Sequence, residues 1–257
     1  MKPIIIANWK CNPTTLKEAK RLFDSIKRGL KNIKNAEVVI CPPFVYLPYF
    51  LNSKSYILNP KIGAQDCFWE EKGAFTGEVS PKMLKDLGCD YVILGHSERR
   101  RYLGETDEMV NKKLKAAIIA GLRPILCVSS RKRGKEGSSE TKEQLQKDLS
   151  GIKKSELKNI IITYEPVWAI STTKGGAVVT SENTKEGKIF IKENLSKLFD
   201  RFSAGKVKII YGGSVDSTNI EGFIRIAKMD GVLIGVASLR PDDFIAAVKK
   251  VDLISKT

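Results

Sequence analysis

Three side chains stand where their types could do acid–base or electrostatic chemistry. Glu165 follows the apolar run Ile160-Ile161-Ile162-Thr163-Tyr164 and precedes Pro166. Proline disfavours helical geometry for the residue before it, so the acid sits extended at a strand end. Such a carboxylate is either a surface residue opening a loop or a general base held in an apolar setting beside Trp168. His96 is the only histidine in the chain. It lies between the strand-like Tyr91-Val92-Ile93-Leu94-Gly95 and a helix start, Ser97-Glu98-Arg99-Arg100, with Ser97 near the cap. It is either a packed residue or a functional one. The positive end of a helix dipole disfavours the imidazolium, and a neutral imidazole can donate a hydrogen bond to a substrate oxygen. Lys10 closes an otherwise apolar strand. It is either a solvated lysine or a fixed positive charge for an oxyanion or phosphate. Asn8, two residues earlier, points to the same side of an extended strand as Lys10.

Two glycine turns, Tyr211-Gly212-Gly213-Ser214 and Ile234-Gly235-Val236-Ala237-Ser238, end apolar runs. Each alone is ordinary turn chemistry. After the last two strands of a barrel, however, such a pair matches the place where many barrels bind phosphate through backbone N–H groups.

The elements that position these groups follow from apolar periodicity. Strand-like runs are Ile4–Ala7, Val38–Cys41, Lys61–Ala64, Tyr91–Leu94, Pro124–Val128, Ile160–Tyr164, Lys208–Tyr211 and Gly231–Ile234. Helical patterns lie between them. Thr15-Leu16-Lys17-Glu18 is a capping box, followed by Leu16, Ala19, Leu22, Phe23 and Ile26 on one face. Ser80-Pro81 opens a helix that Gly88 stops, and Thr106 opens one that Gly121 stops. Leu145, Leu149 and Ile152 mark a shorter helix; Ile191, Leu195, Leu198 and Phe202 mark a long one; Pro241 opens the last. Eight buried strands alternating with helices, without a linker, predict an α/β single-domain (β/α)8 barrel over residues 1–257, eight parallel strands inside eight helices. A doubly wound sheet is the rival. In a barrel the active site lies at the C-terminal ends of the strands. Lys10, His96, Glu165 and both glycine turns would then gather at one rim.

Composition bounds the function. The chain has 257 residues and a net charge of +15. Lys and Arg are spread along it, and the densest run, Arg131-Lys132-Arg133-Gly134-Lys135, carries no aromatic residues for base stacking, so nucleic-acid binding is weakly supported. The charge suits a lysine-rich solvated surface or attraction of a small anion. Five widely spaced cysteines with no CxxC pair indicate neither a zinc site nor a disulfide framework, and fit reduced thiols in a cytoplasm. No run reaches transmembrane length, and the start enters a strand directly, with too short an apolar core for a secretory signal.

Four motifs together, Asn8-Trp9-Lys10, Ile93–Arg100, Tyr164–Ile170 and Tyr211–Val215, resemble those of the triosephosphate isomerase family, in its order and spacing. The resemblance runs the length of the chain. It implies an enzyme of glycolysis and gluconeogenesis that interconverts dihydroxyacetone phosphate and D-glyceraldehyde 3-phosphate through an enediolate, with no cofactor and no metal. It implies Glu165 as the base, neutral His96 as the electrophile, Lys10 as stabiliser of the enediolate and Asn8 as its orienter, with Ser97 and Glu98 behind them. Ser171, Gly213, Ser214, Gly235 and Val236 would hold the phosphate. Pro166, Val167, Trp168, Ala169, Ile170, Ser171, Thr172, Thr173 and Lys174 would form a lid that excludes water. Phe75, Thr76, Gly77 and Glu78 resemble the loop that enters a neighbouring subunit, implying a homodimer with Thr76 close to the partner's Lys10. The other readings are a related barrel isomerase acting on another sugar phosphate, or a non-catalytic barrel binding anions or nucleic acid.

The chain departs from the family in places. Ser171 and Thr173 replace two lid glycines; a φ above zero at Ser171 would cost roughly 1 kcal/mol or more, and the lid would close differently. Val236 stands where a small residue is common, Ser129-Ser130 replaces Gly-Glu, and Cys11 replaces a methionine, as a buried small residue or a reactive thiol.

Overall fold

In the computed structural model, eight parallel strands close into a barrel in strict sequence order, β1 through β8. Residues 2–52, 60–169 and 180–255 are described. The strands are β1 Ile4–Asn8, β2 Glu37–Cys41, β3 Lys61–Ala64, β4 Tyr91–Leu94, β5 Arg123–Ser130, β6 Ile161–Pro166, β7 Lys208–Tyr211 and β8 Gly231–Ile234. β1 pairs with both β2 and β8, which removes every sheet edge. The doubly wound alternative is therefore excluded.

The runs are apolar throughout because both faces of each strand are covered. Ile4, Ile6, Val39, Tyr91, Ile93, Ile125, Ile161, Ile210 and Leu233 fill the barrel interior as one cluster. The alternate residues, such as Ile5, Ala7, Val38, Val92 and Ile162, pack outward against the helices in a second. The two-residue period carries the inward register of Ile4 and Ile6 to Asn8, and that of Ile161 to Thr163 and Glu165. β6 runs two residues beyond Tyr164, and Glu165 is paired with Ser129 on β5.

The helical layer holds nine α-helices among the described residues: α1 Leu16–Gly29, α2 Leu47–Asn52, α3 Pro81–Leu87, α4 Ser97–Tyr102, α5 Asp107–Ile119, α6 Gly134–Asp148, α7 Ser181–Leu198, α8 Arg201–Lys206 and α9 Pro241–Ile254. The expected caps are present. Thr15 accepts the Glu18 N–H, Ser80 accepts that of Met83, and Thr106 accepts that of Met109. Gly88 ends α3 at φ 103, a conformation that favours glycine.

The layer is more divided than one helix per strand. β4 is followed by α4 and α5, and β6 by α7 and α8. The single long helix expected to reach Phe202 breaks because Asp200 caps a new one, accepting the Ser203 N–H; Phe202 then stands 74% exposed. α6 is longer than its apolar spacing suggested, since it starts at Gly134 inside the basic run. Leu16 begins α1 but is exposed. Between β7 and β8 the helical segment is a short π-type turn, Gly222–Ile226.

Candidate active site

The site is set at the C-terminal ends of β1, β4, β6, β7 and β8. Asn8 and Lys10 leave β1. Lys10 takes φ 55, unusual for a residue with a side chain. Its backbone is held on both sides: its N–H donates to Asn8 Oδ1 at 3.0 Å, and Gln65 Nε2 donates to its carbonyl at 2.9 Å. Its ammonium meets Glu98 Oε1 at 2.5 Å. Glu98 thus touches the lysine directly, and its other oxygen lies 3.7 Å from His96 Nδ1.

His96 is itself the N-cap of α4, one residue before the cap position the sequence suggested. Its Nδ1 accepts the Glu98 backbone N–H at 3.2 Å. A backbone N–H can only donate, so Nδ1 offers its lone pair and the ring proton sits on Nε2. Nε2 lies 3.3 Å from Glu165 Oε1, without the alignment of a hydrogen bond.

Glu165 is fully buried. The Ser97 N–H, freed by the start of α4, donates to its Oε2 at 3.1 Å. The carboxylate is therefore turned toward α4. Gly212 is what admits its stem: a Cβ there would lie 2.4 Å from Thr163 Cγ2 and 3.0 Å from Glu165 Cγ.

A cavity of about 230 Å³ opens at this rim, lined by Asn8, Lys10, His96, Gly213, Ser214, Gly235 and Val236 among others. Both glycine turns and the side chains from β1 and β4 thus meet, as the sequence implied. Glu165 does not line this cavity; it lies behind His96. Gly235 abuts Lys10, since a Cβ there would sit 3.2 Å from Lys10 Cε. Val236 is 46% exposed.

The remaining sequence candidates fall as follows. Pro166 ends β6, and Val167–Ala169 form a short 3-10 turn beside it. Arg133 stacks its guanidinium 4.5 Å from the Trp168 ring centre. Ile170, Ser171, Thr172, Thr173 and Lys174 lie outside the described residues. Phe75 and Glu78 close a tight turn through the Glu78 N–H to the Phe75 carbonyl at 3.1 Å, with Gly77 at φ 93. Cys11 is exposed rather than buried within this chain.

Sequence reasoning missed three residues. Gln65 holds the Lys10 carbonyl from the end of β3, and nothing in its local sequence marks it. Asp216 and Arg240 line the cavity. Arg240 was visible only as the residue before the proline that opens α9.

A closed parallel barrel with its charged and hydrogen-bonding groups gathered at the strand C-termini defines the class: a (β/α)8 barrel arranged on the side where barrel enzymes carry their chemistry. The family model for triosephosphate isomerase matches residues 3–251. The triosephosphate isomerase of Geotalea uraniireducens is 44% identical over 251 residues, covering 96% of this chain and 98% of that protein. That of Thermoanaerobacter sp. is 45% identical over 254 residues, with 96% and 98% covered. The crystal structure of triosephosphate isomerase from Bartonella henselae superposes with a TM-score of 0.84 at 32% identity, covering 98% of this chain and 99% of that one. The chain belongs to the triosephosphate isomerase family.

Proposed function

We propose that the chain interconverts dihydroxyacetone phosphate and D-glyceraldehyde 3-phosphate through an enediolate. The observation that carries this reading is the setting of the His96 ring. Its Nδ1 is taken by the Glu98 N–H, so Nε2–H is the donor, one contact from Glu165 Oε1. A carboxylate base beside a neutral imidazole donor is the division of labour known for triosephosphate isomerases generally. Binding alone does not require that pairing.

Glu165 removes a proton from the carbon beside the carbonyl and returns it to the neighbouring carbon. His96 Nε2–H donates to the carbonyl oxygen and moves protons between the two oxygens. The Lys10 ammonium stabilises the negative enediolate, and Asn8 orients it. The proton is conserved, so the reaction balances without a redox cofactor. The Glu165 carboxylate has to turn from the Ser97 N–H toward the cavity, about a stem packed closely against Gly212. Backbone N–H groups of Gly213, Ser214, Gly235 and Val236 hold the phosphate, beside a fixed cation at Lys10.

A homodimer belongs to the same proposal. Val45, Tyr49, Phe75, Met83, Leu87 and Tyr102 are large apolar side chains left exposed. All lie in the connections after β2, β3 and β4, three neighbouring strands, and so on one side of the barrel. The Phe75–Glu78 turn would reach the partner and place Thr76 close to the partner's Lys10.

The test is a coupled isomerase assay of the wild type beside Glu165→Asp. Withdrawing the carboxylate by one methylene is expected to lower turnover by about a hundredfold or more with little change in KM. Equal activity in both would remove Glu165 from the mechanism.

A further inference from the structure

α9 ties the two glycine turns to each other. Arg240 directly precedes it, at the end of the turn that begins with Gly235, and lines the cavity. Ser217 belongs to the other turn, three residues after Ser214. Asp243, in the first turn of α9, joins the two: its Oδ1 accepts the Ser217 N–H at 2.9 Å, and its Oδ2 accepts Arg240 Nη2 at 2.5 Å and Nε at 3.2 Å. Lys250 lies seven residues further, two helical turns on and therefore on the same face. Its Nζ donates to the Ser217 carbonyl at 2.6 Å. Both backbone groups of Ser217 are thus held by one helix.

The connection is rigid on the far side as well. The Asn219 side chain donates to the Ser214 carbonyl at 3.1 Å and accepts the Asp216 N–H at 3.0 Å. A displacement at Ser217 therefore reaches Ser214. An isolated ion pair at a surface contributes little. Asp243 differs, because its side chain is only 17% exposed and binds a backbone N–H together with the guanidinium. Its burial favours the neutral acid, but the Ser217 N–H and Arg240 outweigh that and hold the carboxyl below its ordinary range.

We propose that Asp243 is a positioning residue for the substrate phosphate: by binding Ser217 and Arg240 at once, it fixes the spacing between the turn after β7 and the turn after β8. The proposal rests on the reading of those turns as the phosphate site. It assigns Asp243 no contact with the reacting carbons.

The experiment compares Asp243→Ala, Asp243→Asn and Arg240→Lys with the wild type. Each is assayed on D-glyceraldehyde 3-phosphate and on glyceraldehyde, which lacks the phosphate, and for inhibition by inorganic phosphate. With Asp243→Ala, KM for the phosphorylated substrate and the inhibition constant for phosphate are expected to rise about tenfold, while kcat/KM on glyceraldehyde stays unchanged. Arg240→Lys, which replaces the paired Nε and Nη2 contacts to Asp243 Oδ2 with a single ammonium, is expected to raise the same two phosphate constants by less than Asp243→Ala does. Asp243→Asn keeps an acceptor for Ser217 but loses the charge, and is expected to fall between. Unchanged phosphate constants in Asp243→Ala, or an equal loss on glyceraldehyde, would overturn the proposal. If Asp243→Ala does not fold, Asp243→Asn decides by the same comparison. The phosphate reading is judged separately on the wild type, which fails it by showing no preference for the phosphorylated substrate and no inhibition by phosphate.

Discussion

Glu98 Oε1 lies 2.5 Å from Lys10 Nζ, so the cation at the cavity wall is held from behind by a carboxylate. That carboxylate is 37% exposed, so the pair adds little to stability. Its effect is on where the ammonium points, since the Lys10 backbone is already pinned by Asn8 and Gln65. Glu98→Gln keeps the shape and removes the charge. Steady-state kinetics are expected to show kcat lowered by about tenfold, with KM unchanged or reduced because the ammonium is no longer shared with a second anion. A raised KM with unchanged kcat would show that Glu98 serves substrate binding instead.

Gly212 sets a second expectation. A Cβ at this position meets Thr163 Cγ2 at 2.4 Å and Glu165 Cγ at 3.0 Å, and both belong to the packed strand β6. Neither neighbour is the loose end of a surface chain. Gly212→Ala is expected to destabilise the fold by about 1–3 kcal/mol, the usual cost of overpacking, and to lower kcat by tenfold or more by displacing the base. Thermal unfolding beside the isomerase assay separates the two effects. Wild-type turnover in a stably folded Gly212→Ala would mean that Glu165 does not use this space.

The strands were legible because each is a short apolar run bounded by turns, and all eight lie within two residues of their expected ends. Helix starts were legible where a side chain caps them, as at Thr15, Ser80 and Thr106. Apolar spacing misled where a polar cap overrides it, as Asp200 does before the exposed Phe202. In the site, the groups that end strands could be read from their order alone. The way Glu165 faces could not, because it depends on the N–H of Ser97, 68 residues away in sequence. Gln65, Asp243 and Lys250 likewise act on backbone groups distant in sequence, and no local motif reports such contacts.

Asp66 supplies an expectation for pH. It is 4% exposed and is bound by Lys113 at 2.8 and 2.9 Å and by Arg99 at 2.8 Å, while Glu105 shares both cations. Burial pushes its carboxyl up to about 6 from the ordinary 3.8, against the pull of Lys113 and with the repulsion of Glu105. Between those values the folded chain binds more protons here than the unfolded chain. The contribution is fully present below about 3.8 and is lost as pH rises through about 6. Asp66→Asn removes this titration. The melting temperature of the wild type relative to Asp66→Asn is therefore expected to fall as pH is raised from about 4 to 7. A difference that stays flat or rises across that range would refute the assignment.

Phe75 tests the subunit contact. Its ring is 43% exposed yet packs 4.8 Å from that of Phe68, and Gly73 lies under it, where a Cβ would come within 2.7 Å of the ring. The turn is thus pre-formed, with an aromatic side chain held partly in solvent. Aromatic anchors of this kind carry a large share of interface energy. Phe75→Lys leaves the barrel core untouched and puts a charge at the tip of the turn. Sedimentation velocity is expected to show the wild type as a dimer, and the variant with its dimer dissociation constant raised by about thirtyfold or more. Activity is expected to fall along with the dimer fraction, because Thr76 would no longer support the partner's Lys10. A wild type that sediments as a fully active monomer at micromolar concentration would remove both the dimer and this role for the loop.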